Sequence, residues 1–565
     1  MDEGKKEVVR ILSKKYIIQE SILETPPEPE MGDIALPCFT LAKEYKKSPV
    51  AIAQEIVKTI EPAGLVRELK ALGPYVNFFL SKEKISQTLF EDILKLKNDF
   101  GKSLFGRGKQ IMLEFPSPNT NKPLHLGHVR NCFIGSTLSN LLEACSYKVI
   151  RANLINDRGI HICKSMLAYM KFGNNTEPDI KPDHFVGKYY VLYSQKEKEI
   201  PELESEGYNL LRRWEAGERD VVMLWKKMNN WVYKGFDETL DRLGVKIDVT
   251  YYESEFYKQA KTLVLEAAEK GIFEKDEKGN LIANLEEKNL PNKVVIRADG
   301  TSIYATQDIF LAKKKFDEFP EVEKSIIITM HEQQMHLKQV FAILERMNYS
   351  FANKCMHIMY GIVNLPEGRM KSREGTVVDA DDLMDEMIEL ARDAIKERHQ
   401  NLSEKELKER ARIIAMCALE LHFLKFDDKK DIIFNPKEAI SFEGESGPYI
   451  QYVYARIASI LEKANTKVEK NINHTLLKAS TEQKLISLLA SFPTVVQTAA
   501  LQYRSAEIPH YLLKVAQTFN EFYHACPVLQ AEEETKKARI LLIFCVKQVI
   551  KNGLFLIGCE CLEEM

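Results

Sequence analysis

A chain of 565 residues, 45% hydrophobic and 28% charged, is too long for one core and too apolar for a disordered one; at about 150 residues per domain it implies roughly three or four units. The formal net charge of −3 excludes a small basic nucleic-acid module but is compatible with a large enzyme that confines basic patches to one face. The ten cysteines include no Cys-x-x-Cys pair, the start Met1-Asp2-Glu3-Gly4-Lys5-Lys6 is charged, and the longest apolar run is Ile540 to Val546. These features argue against a structural zinc, a disulfide framework, a secretory signal and a membrane span, so the expectation is a reduced, cytoplasmic protein.

In chain order, residues 1–105 read as a small α+β domain. Helical periodicity runs through Val8, Val9, Ile11 and Leu12 and again through Ala51, Ile52, Ile56 and Val57, before a strand-like Tyr75 to Leu80. A turn-rich link from Gly101 to Lys109 leads into the apolar run Gln110 to Phe115. Next come Ser117-Pro118-Asn119, the motif His125-Leu126-Gly127-His128, a helical pattern from Val129 to Cys145 and a second strand from Lys148 to Leu154. Strand, loop, helix and strand in that order imply a parallel βαβ unit, with ligands at the carboxyl end of the first strand.

Residues 171–295 carry all three tryptophans, Trp214, Trp225 and Trp231, and read as a helical insertion in an α/β domain spanning 106–385. That domain resumes at Val294-Val295-Ile296-Arg297, includes the buried-strand run Ile326 to Thr329 and ends in a loop around Met370, after which 386–565 is helical. The lysine groups Lys46-Lys47, Lys313-Lys314-Lys315 and Lys536-Lys537 read as solvated surface.

Two histidines flanking Leu-Gly, between a strand and a helix, place both imidazoles beside a free helix N-terminus. Its exposed N–H groups and dipole favour an anion, Gly127 leaves room for an adenine against the backbone, and the imidazoles donate to phosphate oxygens as charge develops. Two ordinary capping histidines would look the same in isolation.

The context Ser117-Pro118-Asn119-Thr120-Asn121-Lys122-Pro123-Leu124-His125-Leu126-Gly127-His128-Val129-Arg130-Asn131 resembles the signature of class I aminoacyl-tRNA synthetases in its arginine-specific form. The resemblance implies a Rossmann-type parallel-sheet catalytic domain, a small N-terminal α+β domain touching the tRNA elbow and a C-terminal all-helical anticodon-binding domain. It also implies a monomer that uses ATP with Mg²⁺ and no zinc, takes arginine and tRNA(Arg) as its other partners, and binds neither DNA nor a membrane. Gly368-Arg369-Met370-Lys371-Ser372-Arg373 occupies the slot of the family's flexible Lys-Met-Ser-Lys-Ser loop. It departs from that pattern: Ser372 stands where the second lysine would be, so the pyrophosphate charge is left to Lys371, Arg373 or, as the family implies, Lys122.

Arginine demands a carboxylate for its planar, permanently charged fork of donors. The resemblance assigns Tyr304 and Asp308, in Asp299 to Ile309, to that pocket with Gln333, and it assigns Glu114, Ser117, Asn119 and His125 to the substrate's ammonium and carboxylate end. The nucleotide falls to His125, Gly127, His128, Met370, Lys371 and Ser372 by the same likeness. Asn153 to Gly159 takes a supporting role and also reads as an ordinary turn. Met31 to Leu36, Ser48 to Ala53 and Gly447 to Arg456 resemble the family's RNA-binding ends. Tyr449 and Tyr452 there read as core, and Arg456 as the partner of an acid. Rival readings are a synthetase for glutamate or cysteine, a small-molecule nucleotidyltransferase sharing the histidine loop, and an RNA-binding paralogue without catalysis.

Overall fold

The computed structural model describes residues 2–366, 378–398 and 401–565. Met370, Lys371, Ser372 and Arg373 lie outside the described residues.

The N-terminal unit has helices α1 (Asp2–Leu12), α2 (Phe39–Tyr45) and α3 (Pro49–Thr59) and an antiparallel sheet of β1 (Ile34–Pro37), β2 (Val66–Leu72) and β3 (Tyr75–Leu80), ordered β1-β3-β2. Ser48 caps α3 by accepting from the Ala51 N–H, and Pro49 follows at the first helical position, where it lacks only an N–H that would be unpaired anyway. Val8, Leu12, Ile34, Ile52, Ile56 and Phe78 close a core of its own. Helix α4 (Lys82–Leu96) leads away from it.

The central unit opens with β4 (Gln110–Glu114), α5 (Leu126–Ala144) and β5 (Lys148–Ile155), followed by four helices: α6 (Ile160–Phe172), α7 (Pro182–Lys196), α8 (Glu202–Glu215) and α9 (Arg219–Arg242). Strand β6 (Val249–Tyr252) and helix α10 (Glu253–Glu269) come next, and then a small antiparallel sheet of β7 (Glu274–Lys275), β8 (Leu281–Ala283) and β9 (Lys293–Ile296). Helix α11 (Tyr304–Glu318), β10 (Val322–Met330), α12 (Gln334–Arg346) and β11 (Cys355–Tyr360) complete it. Five strands form one parallel sheet ordered β11-β10-β4-β5-β6. Its first strand in sequence is central. The chain therefore builds outward to β6 on one side and crosses over to β10 and β11 on the other, and a crevice opens at the carboxyl ends of β4 and β10.

Both faces of the sheet are covered: Ile111, Leu113 and Ile326 pack into one cluster with Phe133 of α5, while Met112, Ile150 and Leu154 pack with Phe256 and Leu311 on the other. Gly135 sets the height of α5 over β4, because a Cβ there would lie 2.4 Å from the Phe115 ring.

Two expectations need correction. Residues 171–295 are neither wholly helical nor wholly an insertion, since Val249–Tyr252 is the edge strand of the main sheet, paired with β5. Four residues give no periodicity to read, although Val-Thr-Tyr-Tyr has strong strand propensity. Val294 to Ile296 belongs to the small antiparallel sheet and not to the parallel one.

Helices α13 (Ala380–Arg398), α14 (Glu404–Leu424), α15 (Pro436–Ala439), α16 (Gly447–Ala464), α17 (Ser480–Gln502), α18 (Glu507–Ala525) and α19 (Glu533–Leu556) form the C-terminal unit, with a two-strand contact between β12 (Val363–Asn364) and β13 (Ile432–Ile433). By length and composition α17 is apolar enough to cross a membrane, but its Leu485, Leu489, Phe492 and Val496 are buried in the shared core. Arg130, fully buried on α5, donates to the carbonyls of Gly361 (2.7 Å), Lys430 (2.9 Å), Asp428 (3.2 Å) and Asp427 (3.3 Å), so the helix carrying the histidine motif is stapled to the C-terminal unit. Asn552 on α19 donates to the carbonyls of Lys97 and Phe100, both at 2.9 Å.

Asp157, after β5, is wholly buried and holds the helical excursion to the sheet. Its carboxylate accepts from the Ser254 N–H (2.8 Å), the Ser254 hydroxyl (2.6 Å) and the Tyr233 hydroxyl (2.9 Å), and its carbonyl accepts from Trp225 Nε1 (2.7 Å). Asp157→Ala strands three donors and should cost at least about 3 kcal/mol in unfolding free energy. The exposed Asp248→Ala should cost no more than about 1 kcal/mol. Equal losses in urea unfolding would remove Asp157 as a staple.

Candidate active site

A cavity of about 650 Å³ occupies the crevice. Its walls include Glu114 from β4, Ser117, Asn119, Lys122, His125 and His128 from the loop and helix that follow, and Tyr304, Asp308 and Gln333 from the second half of the sheet. The described residues assigned in the sequence to the arginine and nucleotide sites thus share one cavity, with the exception of Gly127, which sits between the two lining histidines.

The loop is shaped by its own polar groups. Ser117 adopts φ 55°, a left-handed conformation, with its N–H donated to Asn153 Oδ1 at 3.2 Å. Thr120 and Asn156 exchange main-chain bonds with this segment, Thr120 N–H to Asn156 O at 3.2 Å and Asn156 N–H to Pro118 O at 3.0 Å. Asn153 to Gly159 therefore supports the loop from the neighbouring strand.

At the start of α5 the histidines interlock. The Gly127 N–H donates to His125 Nδ1 and the His125 N–H to His128 Nδ1, both at 3.1 Å, and the ring centroids lie 3.9 Å apart. An accepting Nδ1 carries no proton, so each neutral ring bears its proton on Nε2. Burial, then the nearby Lys122 charge, holds the His125 pKa down to about 3, and burial with His125 and Lys122 pushes His128 well down too. Both are neutral Nε2–H donors beside an open helix N-terminus, which suits a phosphate whose charge is growing. A Cβ on Gly127 would crowd the His125 ring at 3.1 Å.

Lys122, half-buried, has its pKa lowered by burial against the opposing pull of Asp379. Asp379 is itself raised to about 6 by burial. It belongs to the segment that follows the undescribed residues, and that segment is laced to the histidine motif: Leu126 N–H donates to Val378 O (3.0 Å) and Ala380 N–H to Leu124 O (2.9 Å). Behind it Asp183, His184 and Asp381 have metal-like spacing. The Lys181 ammonium already fills that position, at 2.9 Å from Asp183 and 3.1 Å from Asp381.

The other end of the cavity is acidic. Glu114, 4% exposed, ends β4 and is paired with the equally buried ammonium of Lys315. Lys315 thus departs from the expected solvated surface, whereas Lys313 and Lys314 meet it by pairing one turn ahead with Asp317 and Glu318, each at 2.5 Å. Tyr304, 65% exposed, and Asp308, one turn later on α11, stand at the mouth. Asp308 Oδ2 accepts from His336 Nε2 at 2.5 Å. Lys293, His336, Asn131 and Tyr360 also line the cavity and were not singled out in the sequence. The one available signal was the position of His336, three residues past Gln333 at a helix start.

Towards the C-terminus, Tyr449 and Tyr452 are half-buried. Among the described residues, Arg456 has no acid as a hydrogen-bond partner. It donates to Asn520 Oδ1 at 3.1 Å and the Tyr452 hydroxyl at 2.7 Å, and it lies 5.3 Å from the Tyr523 ring centroid.

The two neutral histidines give the fold a pH signature. Below about pH 6.5 the unfolded chain takes up protons that the folded chain refuses, so their contribution is complete above that pH and is lost as pH falls towards the folded values. Replacing both by Gln should flatten the acid-side decline in unfolding free energy by up to about 1.4 kcal/mol per pH unit per histidine. An unchanged slope between pH 6 and 4.5 in urea titrations would mean that these rings are not held neutral.

Comparison with known proteins agrees over the whole chain. The profile described as "tRNA synthetases class I (R), catalytic domain" matches residues 90–436, "DALR anticodon binding domain" matches 450–565, and "Arginyl tRNA synthetase N terminal domain" matches 3–80. The arginine–tRNA ligase of Treponema denticola is 42% identical over 98% of this chain and 96% of its own. That of Parabacteroides distasonis is 39% identical over 94% of each. The solved arginyl-tRNA synthetase of Thermus thermophilus superposes with a TM-score of 0.81 over 100% of both chains, at 26% identity. With a parallel sheet, a histidine loop at its switch point and helical C-terminal matches in register, the chain belongs to the class I arginyl-tRNA synthetase family.

Proposed function

We propose that this chain ligates arginine to tRNA(Arg) in two steps. The arginine carboxylate first attacks the α-phosphorus of ATP and displaces pyrophosphate. A terminal adenosine hydroxyl of the tRNA then attacks the carbonyl carbon of the arginyl-adenylate and releases AMP. The observation that carries this reading is the polarity of one cavity, with carboxylates at one end and neutral N–H donors with Lys122 at the other.

Asp308, with Tyr304 and Gln333, receives the guanidinium at the mouth. Glu114, Ser117 and Asn119 hold the ammonium at the end of β4, and His125 meets the carboxylate as it attacks. His125 and His128 donate from Nε2 to the transferring phosphate, while Lys122, Met370, Lys371, Ser372 and Arg373 take the nucleotide and its pyrophosphate. Catalysis rests on positioning and on charge stabilisation, without a covalent enzyme intermediate. Both cavity carboxylates are already engaged, Glu114 by Lys315 and Asp308 by His336, so the donor set does not fit a dedicated metal site. Mg²⁺ is assigned to ATP as its counter-ion, and no step runs through it. The N- and C-terminal units take the tRNA elbow and anticodon, in a monomeric, cytoplasmic enzyme without zinc.

Two kinds of kinetic damage should separate the two ends. Asp308→Ala removes the partner of a desolvated charge and should raise the KM for arginine by a factor corresponding to about 2–5 kcal/mol. His128→Ala removes a donor that matters most as charge develops and should lower the rate of adenylate formation about 100-fold or more. Steady-state and single-turnover assays distinguish them, and a His128 variant with ordinary turnover would contradict the phosphate role.

Main-chain bonds lace residues 378–380 to the histidine motif. If tRNA favours the ATP-binding arrangement of this site, its differential affinity for the two states drives assembly of the ATP site. Arginine-dependent ATP–pyrophosphate exchange should then require tRNA, including tRNA that lacks its terminal adenosine. Robust exchange without any tRNA would refute the coupling.

A further inference from the structure

Asp308 is the one carboxylate assigned to the guanidinium, yet its geometry comes from a neighbour. Its side chain, 26% exposed, projects into the cavity from α11, and Oδ2 meets Nε2 of His336 in the first turn of α12 at 2.5 Å. A carboxylate only accepts here, so Nε2 bears the proton and His336 is the donor. One lone pair of Oδ2 is thereby used, the carboxylate plane is fixed, and Oδ1 with the remaining lone pairs is left for a planar fork. A second cation, Lys293 of β9, lines the same cavity and is close enough for the Asp308 charge to favour its protonated form against burial. A carboxylate free to rotate can turn towards Lys293 instead of presenting a bidentate acceptor.

The pair is not needed to join its helices. Ala305 and Ile309 of α11 are already buried against Val340 and Ile343 of α12 in one apolar cluster, and Thr306 anchors α11 through its hydroxyl to the Val295 carbonyl at 2.5 Å. The His336–Asp308 contact sits above that cluster, on the cavity wall.

We propose that His336 is a positioning residue for arginine specificity: its Nε2–H holds the Asp308 carboxylate in the orientation that accepts a guanidinium and keeps it off Lys293. The inference rests on Asp308 as the guanidinium partner. Loss of the donor leaves the charge in place but not its direction. Binding of a bidentate fork then suffers more than binding of an ammonium, which is indifferent to the carboxylate plane.

The test is aminoacylation at saturating tRNA, with arginine and lysine titrated separately, for wild type, His336→Ala, His336→Gln, Asp308→Ala and the Asp308→Ala/His336→Ala double variant. His336→Ala should raise the KM for arginine about 10-fold or more, the scale of one hydrogen bond to a charged group. Its KM for ATP should stay within about 2-fold, and the arginine-over-lysine ratio of kcat/KM should narrow. His336→Gln places an amide N–H at the reach of Nε2 and should restore most of the arginine KM. In the Asp308→Ala background, removing His336 should add little, because the group it positions is gone. If Asp308→Ala raises the arginine KM and His336→Ala does not, the positioning role is overturned while the arginine pocket stands. A Gln variant as impaired as the Ala variant, or a parallel rise in the ATP KM, would also overturn it. If Asp308→Ala leaves the arginine KM unchanged, the pocket assignment falls, and the inference falls with it.

Discussion

A parallel sheet whose first strand lies at its centre cannot close its carboxyl edge. Connections from β4 and β10 leave in opposite directions, and the gap between them is the one place where main-chain ends, helix starts and loops from both halves converge. Every assigned group among the described residues depends on that topology. Glu114 is the last residue of β4, the histidine motif opens the helix that follows, and Gln333 follows the end of β10. Gly135 against Phe115 and Arg130 against four carbonyls fix α5 over this gap, so the histidines sit on a rigid base and not on a free loop.

The chemistry at the two ends follows from opposite electrostatic solutions to burial. At the phosphate end, burial and Lys122 keep both imidazoles neutral, and their mutual Nδ1 contacts direct both protons to Nε2. Neutral donors suit a site that must bind a nucleotide and release its products, whereas two imidazolium rings beside a lysine would repel one another. At the amino-acid end, each carboxylate has a cation or donor of its own, Lys315 for the buried Glu114 and His336 for the half-buried Asp308. Those partners hold the acids in place before substrate arrives, so arginine meets acceptors already aimed.

Much of this was legible in the sequence, and the exceptions are physically specific. The βαβ order around the histidine motif could be read because the apolar run of Gln110 to Phe115 and the pattern from Val129 to Cys145 carry different periodicities. Strand β6 could not, since four residues within a helical stretch leave no period. Lys313, Lys314 and Lys315 look alike in sequence, yet successive residues on a helix turn about 100°, so one of three faces the sheet while the others face water. Its partner Glu114 lies 201 residues away, and nothing local announces the pair. His336 was hidden for a related reason: its function comes from a carboxylate on another helix, 28 residues earlier in the chain.

The reading of this cavity as a site for arginine and an activated nucleotide is tested most directly by charging. The purified chain, total tRNA, ATP and Mg²⁺ are incubated with each radiolabelled amino acid in turn, and acid-precipitable label is counted. Arginine alone should be esterified to tRNA, with lysine at background. Charging of a different amino acid, or no charging with any of them while the chain remains folded, would contradict the account.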